Sequence, residues 1–277
     1  MRWISFEVDG RATFGPVIDD GVADAGGAGY ADLKAAIADS ALIDLAAAFD
    51  TPDHRLEEVT YLPPITNPDK ILCVGLNYRE HQEETGRGGE DNPTIFVRFA
   101  AAQVGHEGTM LRPHESNSLD YEGEIALIIG RPGRRIGKDD WLDHVAGFSC
   151  YNDGSVREYQ RHTSQFTPGK NFAATGGFGP WMVSPAEIPD LDAIEITTRL
   201  NGEVMQNAKS AQMVFGFAEL VAYCSTFTEL AAGDVIVTGT PGGVGAARSP
   251  PVFMDAGDVV EVEIDPIGTL RHRIARG

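Results

Sequence analysis

Acidic residues run directly into a long apolar segment in DYEGEIALIIG, residues 120–130. A run of aliphatic residues that ends at a glycine is typical of a strand with both faces buried. Because side chains of a strand repeat every two residues, Glu122 and Glu124 are expected on one face and Gly123 on the other. A glycine there allows another backbone to approach closely. The segment therefore predicts a buried strand whose entrance carries two carboxylates.

Similar short runs occur along most of the chain after residue 70. They are rich in β-branched residues and bounded by Gly, Pro, Asn or Asp: KILCVGL, TIFVRF, EIALIIG, HVAGFSCYN, EITTRL, GDVIVTG and DVVEVEI. Only two helices are predicted in this part, near residues 156–161 and 215–224. Strands dominate without regular alternation of strand and helix, which favours an α+β fold of layered mixed sheets.

The first 50 residues have the pattern of a small separate unit. Two strand-like runs, WISFEV and FGPVID, precede the Ala-rich helical stretch ADLKAAIADSALIDLAAAF. Pro63, Pro64 and Pro68 then interrupt the chain, because proline neither continues a helix nor sits inside a sheet. We predict a small N-terminal α/β domain over residues 1–64 and a larger domain over residues 65–277.

The overall charge excludes several classes of protein. The 277 residues include 22 Lys+Arg against 41 Asp+Glu, a formal net charge of −19. Nucleic acids and anionic membrane surfaces both attract clustered positive charge, so neither partner is expected. No run approaches the roughly 18 apolar residues of a membrane span, and the N-terminus lacks the apolar core of a signal peptide. Three widely spaced cysteines do not make a disulfide framework, and a cytoplasmic protein is predicted.

A third carboxylate accompanies the two glutamates. Asp153 ends the apolar run VAGFSCYN, and an acid after so apolar a strand tends to point into a cleft. Three carboxylates without His or Cys suit a hard divalent ion, Mg²⁺ or Mn²⁺, with water in the open positions. The alternative is a solvated edge strand, which is the commoner reason for two glutamates at this spacing.

A histidine and a glutamate three residues apart form the second candidate pair. On one helical turn His81 and Glu84 share a face, where the carboxylate orients the imidazole as a general base for water. An exposed histidine beside acidic neighbours is the alternative. The polar, Gly- and Glu-rich segment 82–92 that follows is a candidate lid over an active site.

Two further segments contain groups that bind anions. Lys170 stands alone in QFTPGKNFAATGGFGPW, where it is either an anion-binding or oxyanion-stabilising group or an ordinary solvated lysine. The glycine-rich segment 237–245, VTGTPGGVG, either brings backbone amides to an anion or forms only a tight turn. Neither the phosphate-loop pattern nor the G-x-S-x-G pattern of triad hydrolases occurs.

Six motifs in this order resemble the fumarylacetoacetate hydrolase superfamily, in particular its bacterial 2-hydroxyhepta-2,4-diene-1,7-dioate isomerase and acylpyruvase-like members. The resemblance runs from about residue 67 to the C-terminus. The motifs are N-Y-x-x-H at 77–81, D-Y-E-G-E at 120–124, N-D-x-x-x-R-x-x-Q at 152–160, G-K at 169–170, L-N-G-E at 200–203 and G-D-V-I-x-T-G-T-P-x-G-V-G at 233–245. The resemblance implies a mixed β-sandwich roll and a homodimer, with the N-terminal unit as the small variable domain of many members.

The resemblance also implies roles for individual residues. The metal ligands that it implies, for Mg²⁺ or Mn²⁺ with Ca²⁺ as a further candidate, are Glu122, Glu124 and Asp153. The catalytic residues that it implies are His81, Glu84 and Lys170. The substrate-binding residues that it implies are Arg157, Gln160 and Thr240. Many small members have lysine where this chain has Arg98, so the substrate pocket is expected to differ there.

The activity implied by the resemblance is metal-dependent hydrolysis of a C–C bond in a β-diketo 2-oxo acid such as an acylpyruvate or fumarylacetoacetate. His81 would take a proton from water, and Lys170 with Gln160 would stabilise the leaving enolate. The alternative is an isomerase or decarboxylase of a 2-oxo or 2-hydroxydienoic acid, of the oxaloacetate or 2-hydroxyhepta-2,4-diene-1,7-dioate type, since those members use the same metal site. A binding protein without activity is the third hypothesis, disfavoured because every implied catalytic position holds a competent residue.

Overall fold

The computed structural model describes all residues, Met1–Gly277, and contains 19 strands and six α-helices. The strands are β1 (Arg2–Val8), β2 (Arg11–Ile18), β3 (Gly21–Val22), β4 (His54–Arg55), β5 (Thr60–Tyr61), β6 (Ile71–Gly75), β7 (Thr94–Arg98), β8 (Gln103–Val104), β9 (Thr109–Arg112), β10 (Leu119–Asp120), β11 (Gly123–Ile129), β12 (Val145–Asp153), β13 (Ser155–Val156), β14 (Gly176–Val183), β15 (Glu195–Leu200), β16 (Glu203–Lys209), β17 (Val235–Val237), β18 (Val259–Asp265) and β19 (Gly268–Arg276). The helices are α1 (Leu33–Ala38), α2 (Leu42–Ala47), α3 (Arg79–Thr85), α4 (Arg157–Gln160), α5 (Thr167–Lys170) and α6 (Phe217–Phe227).

Two mixed sheets form the body of the protein. The larger has 12 strands in the order β4-β3-β2-β1-β14-β12-β11-β17-β6-β7, with β5 paired to β1 and β8 paired to β14. The smaller has five strands in the order β16-β15-β18-β19-β9, and β10 pairs separately with β13. The two sheets share one hydrophobic core, so the expected α+β fold with a mixed β-sandwich is confirmed.

Strand β11 lies at the centre of this sandwich, between β12 and β17. On one face Ile125 and Leu127 pack in a core that includes Val262 of the small sheet. On the other face Ala126 and Ile128 pack in a second core that contains the apolar side of α1. All seven residues of β11 are buried, which explains why its sequence is apolar without alternation.

The N-terminal unit is joined to the rest of the protein through a β-ladder. Strand β1 pairs with β14, with Trp3 opposite Met182, so the N-terminal strands extend the large sheet. The Ala-rich stretch forms two short helices instead of one, since the chain turns between them at Ser40, whose φ is 56°. The division into residues 1–64 and 65–277 stays a prediction.

Helices α4 and α6 confirm the two helices expected after residue 70. The other two in this part, α3 and α5, were not predicted as separate elements. Helix α3 has the sequence REHQEET, which carries no apolar periodicity, and α5 has only four residues. None of the helices combines the length and apolar character needed to cross a bilayer.

Gly123 lies where the two sheets meet, and its size is expected to matter for stability. A Cβ on Gly123 would lie 2.1 Å from Oγ1 of Thr198 and 3.2 Å from Cγ1 of Val262. The close neighbour is therefore a side chain, and not the backbone that the sequence suggested. Gly123→Ala should lower the free energy of unfolding by about 1–3 kcal/mol, measured by chemical denaturation, because it overpacks the core.

The control for this substitution is Thr198→Ala, alone and combined with Gly123→Ala. The Thr198 hydroxyl has no hydrogen-bond partner, so Thr198→Ala alone should cost only about 1 kcal/mol, from the buried methyl group that it also removes. The double variant should recover part of the stability that Gly123→Ala loses, because the nearest clashing atom is gone. A Gly123→Ala protein as stable as wild type would contradict the packing described here.

Stability at acid pH is expected to depend on His272, a buried residue of β19. Burial, with a further contribution from His106, lowers the pKa of His272 from 6.5 to about 3. As the pH falls below about 6.5, the imidazole therefore becomes protonated in the unfolded chain but stays neutral in the folded protein. Stabilisation by the neutral imidazole is complete above that pH and is lost progressively as the pH falls towards 3.

Replacing His272 with glutamine should remove this part of the pH dependence. The difference between the unfolding free energies at pH 7 and pH 4 should shrink by about 3 kcal/mol relative to wild type. His114→Gln, which removes an exposed histidine outside the core, is the matched control variant. An identical pH dependence in His272→Gln and wild type would show that His272 is not the group responsible.

Candidate active site

Three acidic side chains meet in one buried cluster. Glu122 immediately precedes β11, Glu124 is its second residue, and Asp153 is the last residue of β12. Because the two strands are antiparallel neighbours, the amide of Asp153 donates to the carbonyl of Glu122 at 2.8 Å. One ligand oxygen from each carboxylate lies within 4.8 Å of the others. The exposure of the three residues is at most 4%, so the alternative of a solvated edge strand is wrong.

Lys170 contacts two of these carboxylates. Its Nζ lies 2.6 Å from Oε2 of Glu122 and 2.5 Å from Oδ2 of Asp153. Lys170 ends α5 and is 1% exposed, so it is not a solvated lysine. A lysine so buried is held by the negative charge that surrounds it.

Arg98 contacts the same cluster from within the large sheet. Its Nη1 donates to Oδ1 of Asp153 at 2.6 Å, and its Nη2 donates to the hydroxyl of Thr175 at 2.9 Å. Arg98 does not line the cavity beside the cluster, so the expectation that it shapes the substrate pocket is wrong. The physical reason is that Asp153, the carbonyl of Gly154 and the hydroxyl of Thr175 already bind its guanidinium group.

Arg157, at the start of α4, joins the cluster to a fourth carboxylate. Its Nε donates to Oδ2 of Asp120 at 2.8 Å, and its Nη2 lies 2.7 Å from Oε1 of Glu122. Its Nη1 donates to Oε1 of Gln160 at 2.8 Å. The amide nitrogen of Gln160 is left free to donate to a ligand in the cavity.

The buried cluster carries more negative than positive groups. The four carboxylates are those of Asp120, Glu122, Glu124 and Asp153, and the three cations are those of Arg98, Arg157 and Lys170. Glu124 is the carboxylate without an ion pair. Burial, with Asp153 and Glu122 close by, raises the pKa of Glu124 well above its ordinary value. Burial alone would also raise the pKa of Glu122, but Lys170 and Arg157 lower it to about 2.

These observations test whether the cluster suits a divalent cation. The donors are carboxylate oxygens only, which Mg²⁺, Mn²⁺ and Ca²⁺ prefer. A bound cation would also compensate the negative charge of Glu124, which forms no ion pair within the protein. Both the donor chemistry and the charge of the cluster therefore fit a divalent cation.

His81 and Glu84 form a hydrogen-bonded pair on α3. Nδ1 of His81 lies 2.6 Å from Oε1 of Glu84, and the amide of Gly243 donates to Oε2 of Glu84 at 2.8 Å. His81 is 6% exposed, so the alternative of an exposed surface histidine is wrong. The entrance to α3 is fixed by Asn77, whose side-chain amide donates to the carbonyls of Phe215 and Thr238.

The glycine-rich segment 237–245 binds anions, and those anions are carboxylates of the protein itself. The amides of Gly239, Gly243 and Gly245 donate to Glu124, Glu84 and Asp120 at 2.5, 2.8 and 2.8 Å. The hydroxyl of Thr240 donates to the carbonyl of Gly123 at 3.0 Å and accepts from the amide of Gln206 at 2.8 Å. The segment thus fixes groups of the site relative to one another.

Sequence reasoning assigned no role to Asp120 or Gln206, although both support the site. Asp120 is part of the D-Y-E-G-E motif, which was the signal that it has a function. Gln206 lies in no motif, and only its contacts with Thr240 and the amide of Gly123 identify it.

A cavity of about 560 Å³ opens onto these groups. Eight of the nine predicted site residues line it, and Asp153 is fully buried. The eight are His81, Glu84, Glu122, Glu124, Arg157, Gln160, Lys170 and Thr240. Their roles in binding and catalysis stay predictions.

The fold and the site together define a class of protein. It is a mixed β-sandwich in which a buried carboxylate triad suited to a divalent cation shares a cavity with a histidine–glutamate pair. The sequence model of the family described as "Fumarylacetoacetate (FAA) hydrolase C-terminal" matches residues 70–275. The chain belongs to this family.

Two named proteins and one solved structure illustrate what this chain is similar to. A mitochondrial oxaloacetate tautomerase of Bos taurus is 41% identical over 231 residues, which cover 83% of this chain and 74% of the relative. An oxaloacetate tautomerase of Bacillus subtilis is 40% identical over 226 residues, which cover 80% of this chain and 75% of the relative. The solved structure of a fumarylacetoacetate hydrolase from Exiguobacterium antarcticum has a TM-score of 0.89 and 33% identity, covering 100% of both chains.

The relatives overturn the leading functional hypothesis, which was hydrolysis of a C–C bond. The two curated relatives, at about 40% identity, are tautomerases, and a tautomerase moves a proton without breaking a C–C bond. The alternative, an isomerase of the oxaloacetate type, agrees with them better. The sequence alone did not distinguish a hydrolase from an isomerase, because a histidine–glutamate pair can accept a proton either from water or from a carbon atom.

Proposed function

We propose that this protein is a divalent-metal-dependent tautomerase that interconverts the keto and enol forms of a 2-oxo acid of the oxaloacetate type. The observation that carries the proposal is the free Nε2 of His81, a base that lines the same cavity as the carboxylate triad. The 41% identity to a mitochondrial oxaloacetate tautomerase supports it.

The pairing of His81 with Glu84 decides which ring nitrogen reacts. In the neutral tautomer whose Nδ1–H donates to the carboxylate, Nε2 carries the lone pair and is able to accept a proton. The carboxylate also stabilises the imidazolium that forms when Nε2 accepts one. Since Gly243 holds the second oxygen of Glu84, the pair keeps its orientation during the reaction.

Tautomerisation then needs one proton to leave carbon and one to reach oxygen. In the direction from keto to enol, Nε2 of His81 takes a proton from C3 of the 2-oxo acid. The electron pair of that C–H bond forms the C2–C3 double bond, and the carbonyl π pair moves to the oxygen. The imidazolium of His81 gives a proton to the oxygen, so both the histidine and the enol end uncharged.

Negative charge develops on the oxygen between these two transfers, and two groups of the cavity are suited to stabilise it. Lys170 supplies a buried ammonium group, and Gln160 supplies a free amide N–H₂. A divalent cation held by Glu122, Glu124 and Asp153 would add Lewis acidity toward the 2-oxo acid. We propose Mg²⁺ or Mn²⁺ for that site because all the donors are carboxylates.

A homodimer and a cytoplasmic location remain predictions. Support for self-association comes from β7, an edge strand of the large sheet. Val97 in this strand and Phe99 just after it are 38% and 55% exposed. An apolar edge of this kind is commonly covered by another chain.

The proposed activity is tested by mixing the enol form of oxaloacetate with the protein and following the loss of its ultraviolet absorbance, with and without Mg²⁺. We expect metal-dependent acceleration over the rate in buffer, while the total amount of oxaloacetate stays constant. A rate equal to that in buffer would reject the proposal. Release of CO₂ with formation of pyruvate would move the assignment to a decarboxylase.

A further inference from the structure

Two arginines line the cavity without a carboxylate partner in the protein. They are Arg87, just after α3, and Arg161, at the C-terminal end of α4. Both are exposed, and neither guanidinium group forms an ion pair or a hydrogen bond. The protein has an excess of 19 negative charges, yet two of the residues that line this cavity are arginines without an ion pair.

The other two permanent cations of the cavity are already neutralised. Arg157 is bound by Asp120 and Glu122, and Lys170 by Glu122 and Asp153. Arg161 lies four residues after Arg157, one helical turn further on. Cations of the cavity without an ion pair in the protein are therefore Arg87 and Arg161.

The acids that line the cavity do not cancel this charge. Glu122 and Glu124 belong to the buried cluster, and Glu84 is bound by His81 and the amide of Gly243. A guanidinium group binds a carboxylate through two parallel hydrogen bonds. The available partner for Arg87 and Arg161 is consequently an anionic group on the ligand.

We propose that Arg161, together with Arg87, binds the distal carboxylate of a 2-oxo diacid and so selects diacids over monoacids. The inference rests on the proposed function for one point only, that the 2-oxo acid group lies at the triad. Arg87 follows the helix that carries His81, and Arg161 follows the helix that carries Gln160. A distal carboxylate between them would contact both elements that supply the reacting groups.

The test measures binding, so that it does not depend on turnover. The probes are N-oxalylglycine, a 2-oxo diacid analogue without an enolisable C–H, and oxamate, its monoacid counterpart. Titration calorimetry on the Mg²⁺-loaded full chain should show tighter binding of N-oxalylglycine by wild type. Arg161→Gln should weaken that binding about tenfold and leave oxamate within about twofold, because one charged hydrogen-bonding group is lost.

Two further variants serve as controls. Arg161→Lys should recover part of the affinity, since it restores the charge without the two parallel hydrogen bonds. Arg134→Gln removes an exposed arginine that does not line the cavity, and it should bind both probes like wild type. Arg87→Gln should also weaken N-oxalylglycine binding and leave oxamate binding unchanged.

Several results would overturn the inference. They are a failure of wild type to bind N-oxalylglycine, an unchanged affinity in Arg161→Gln, or an equal loss for N-oxalylglycine and oxamate. Failure of the proposed function would be recognised separately, as an absence of oxaloacetate tautomerisation by wild type. If preference for the diacid and its loss in Arg161→Gln persisted without that activity, the binding site would stand and the tautomerase would be rejected.

Discussion

His81→Gln should lower kcat for tautomerisation by about a hundredfold or more, because the variant lacks the group that takes the proton from C3. Glutamine keeps a hydrogen-bonding side chain of similar length but has no basic nitrogen. The measurement is the loss of enol absorbance at saturating oxaloacetate and Mg²⁺. Affinity for Mg²⁺ should stay the same, since His81 does not belong to the carboxylate triad.

Two comparisons make the result for His81 specific. Glu84→Gln should cause a smaller loss of kcat, because the imidazole remains while the carboxylate that orients it is lost. His114→Gln changes an exposed histidine outside the cavity and should have wild-type kinetics. Unchanged turnover in His81→Gln would show that another group moves the proton.

Glu124→Gln should weaken Mg²⁺ binding by more than about a hundredfold, because it removes an anionic ligand of the triad. Without metal the same variant should be about as stable as wild type. Glu124 forms no ion pair that the substitution would break. A neutral side chain of equal size also removes the repulsion from the nearby carboxylates of Glu122 and Asp153. Metal affinity is measured by calorimetry, and stability is measured by denaturation of the metal-free protein.

Glu122→Gln is the matched comparison, since it removes a carboxylate of the same triad. It should weaken Mg²⁺ binding as well, but it should also destabilise the metal-free protein by about 3 kcal/mol. Glu122 is the ion-pair partner of both Lys170 and Arg157, and its loss leaves buried positive charge with less compensation. Equal stability of the two metal-free variants would contradict the charge distribution described for the cluster, and unchanged metal affinity in both would reject the triad as the metal site.

The chemistry of the site residues alone does not determine which reaction the protein catalyses. A base on α3 and a site for a divalent cation on the sheets serve hydrolysis, decarboxylation and tautomerisation alike. Which of these occurs depends on whether water or a substrate C–H lies next to Nε2 of His81. That placement is a property of the cavity and the ligand, and the named relatives supplied the information that the motifs lacked.

Local patterns in the sequence determined the central strand and the acidic triad. The apolar run after residue 124 predicted the buried β11, and the two-residue repeat of a strand placed Glu122 and Glu124 together. Asp153 was found in the same way, at the end of another apolar run. These features were predictable because burial and side-chain direction within a strand depend on neighbours a few residues away.

Only the tertiary structure decided how the site is held. The carboxylate of Asp153 binds Arg98, 55 residues away, and the carboxylate of Glu84 binds the amide of Gly243, 159 residues away. The residues around Lys170 left open whether it binds an anion or is a solvated lysine, and only its contacts with two buried carboxylates exclude the solvated lysine. Such contacts cannot be derived from local spacing, because they depend on how the topology brings distant segments of the chain together.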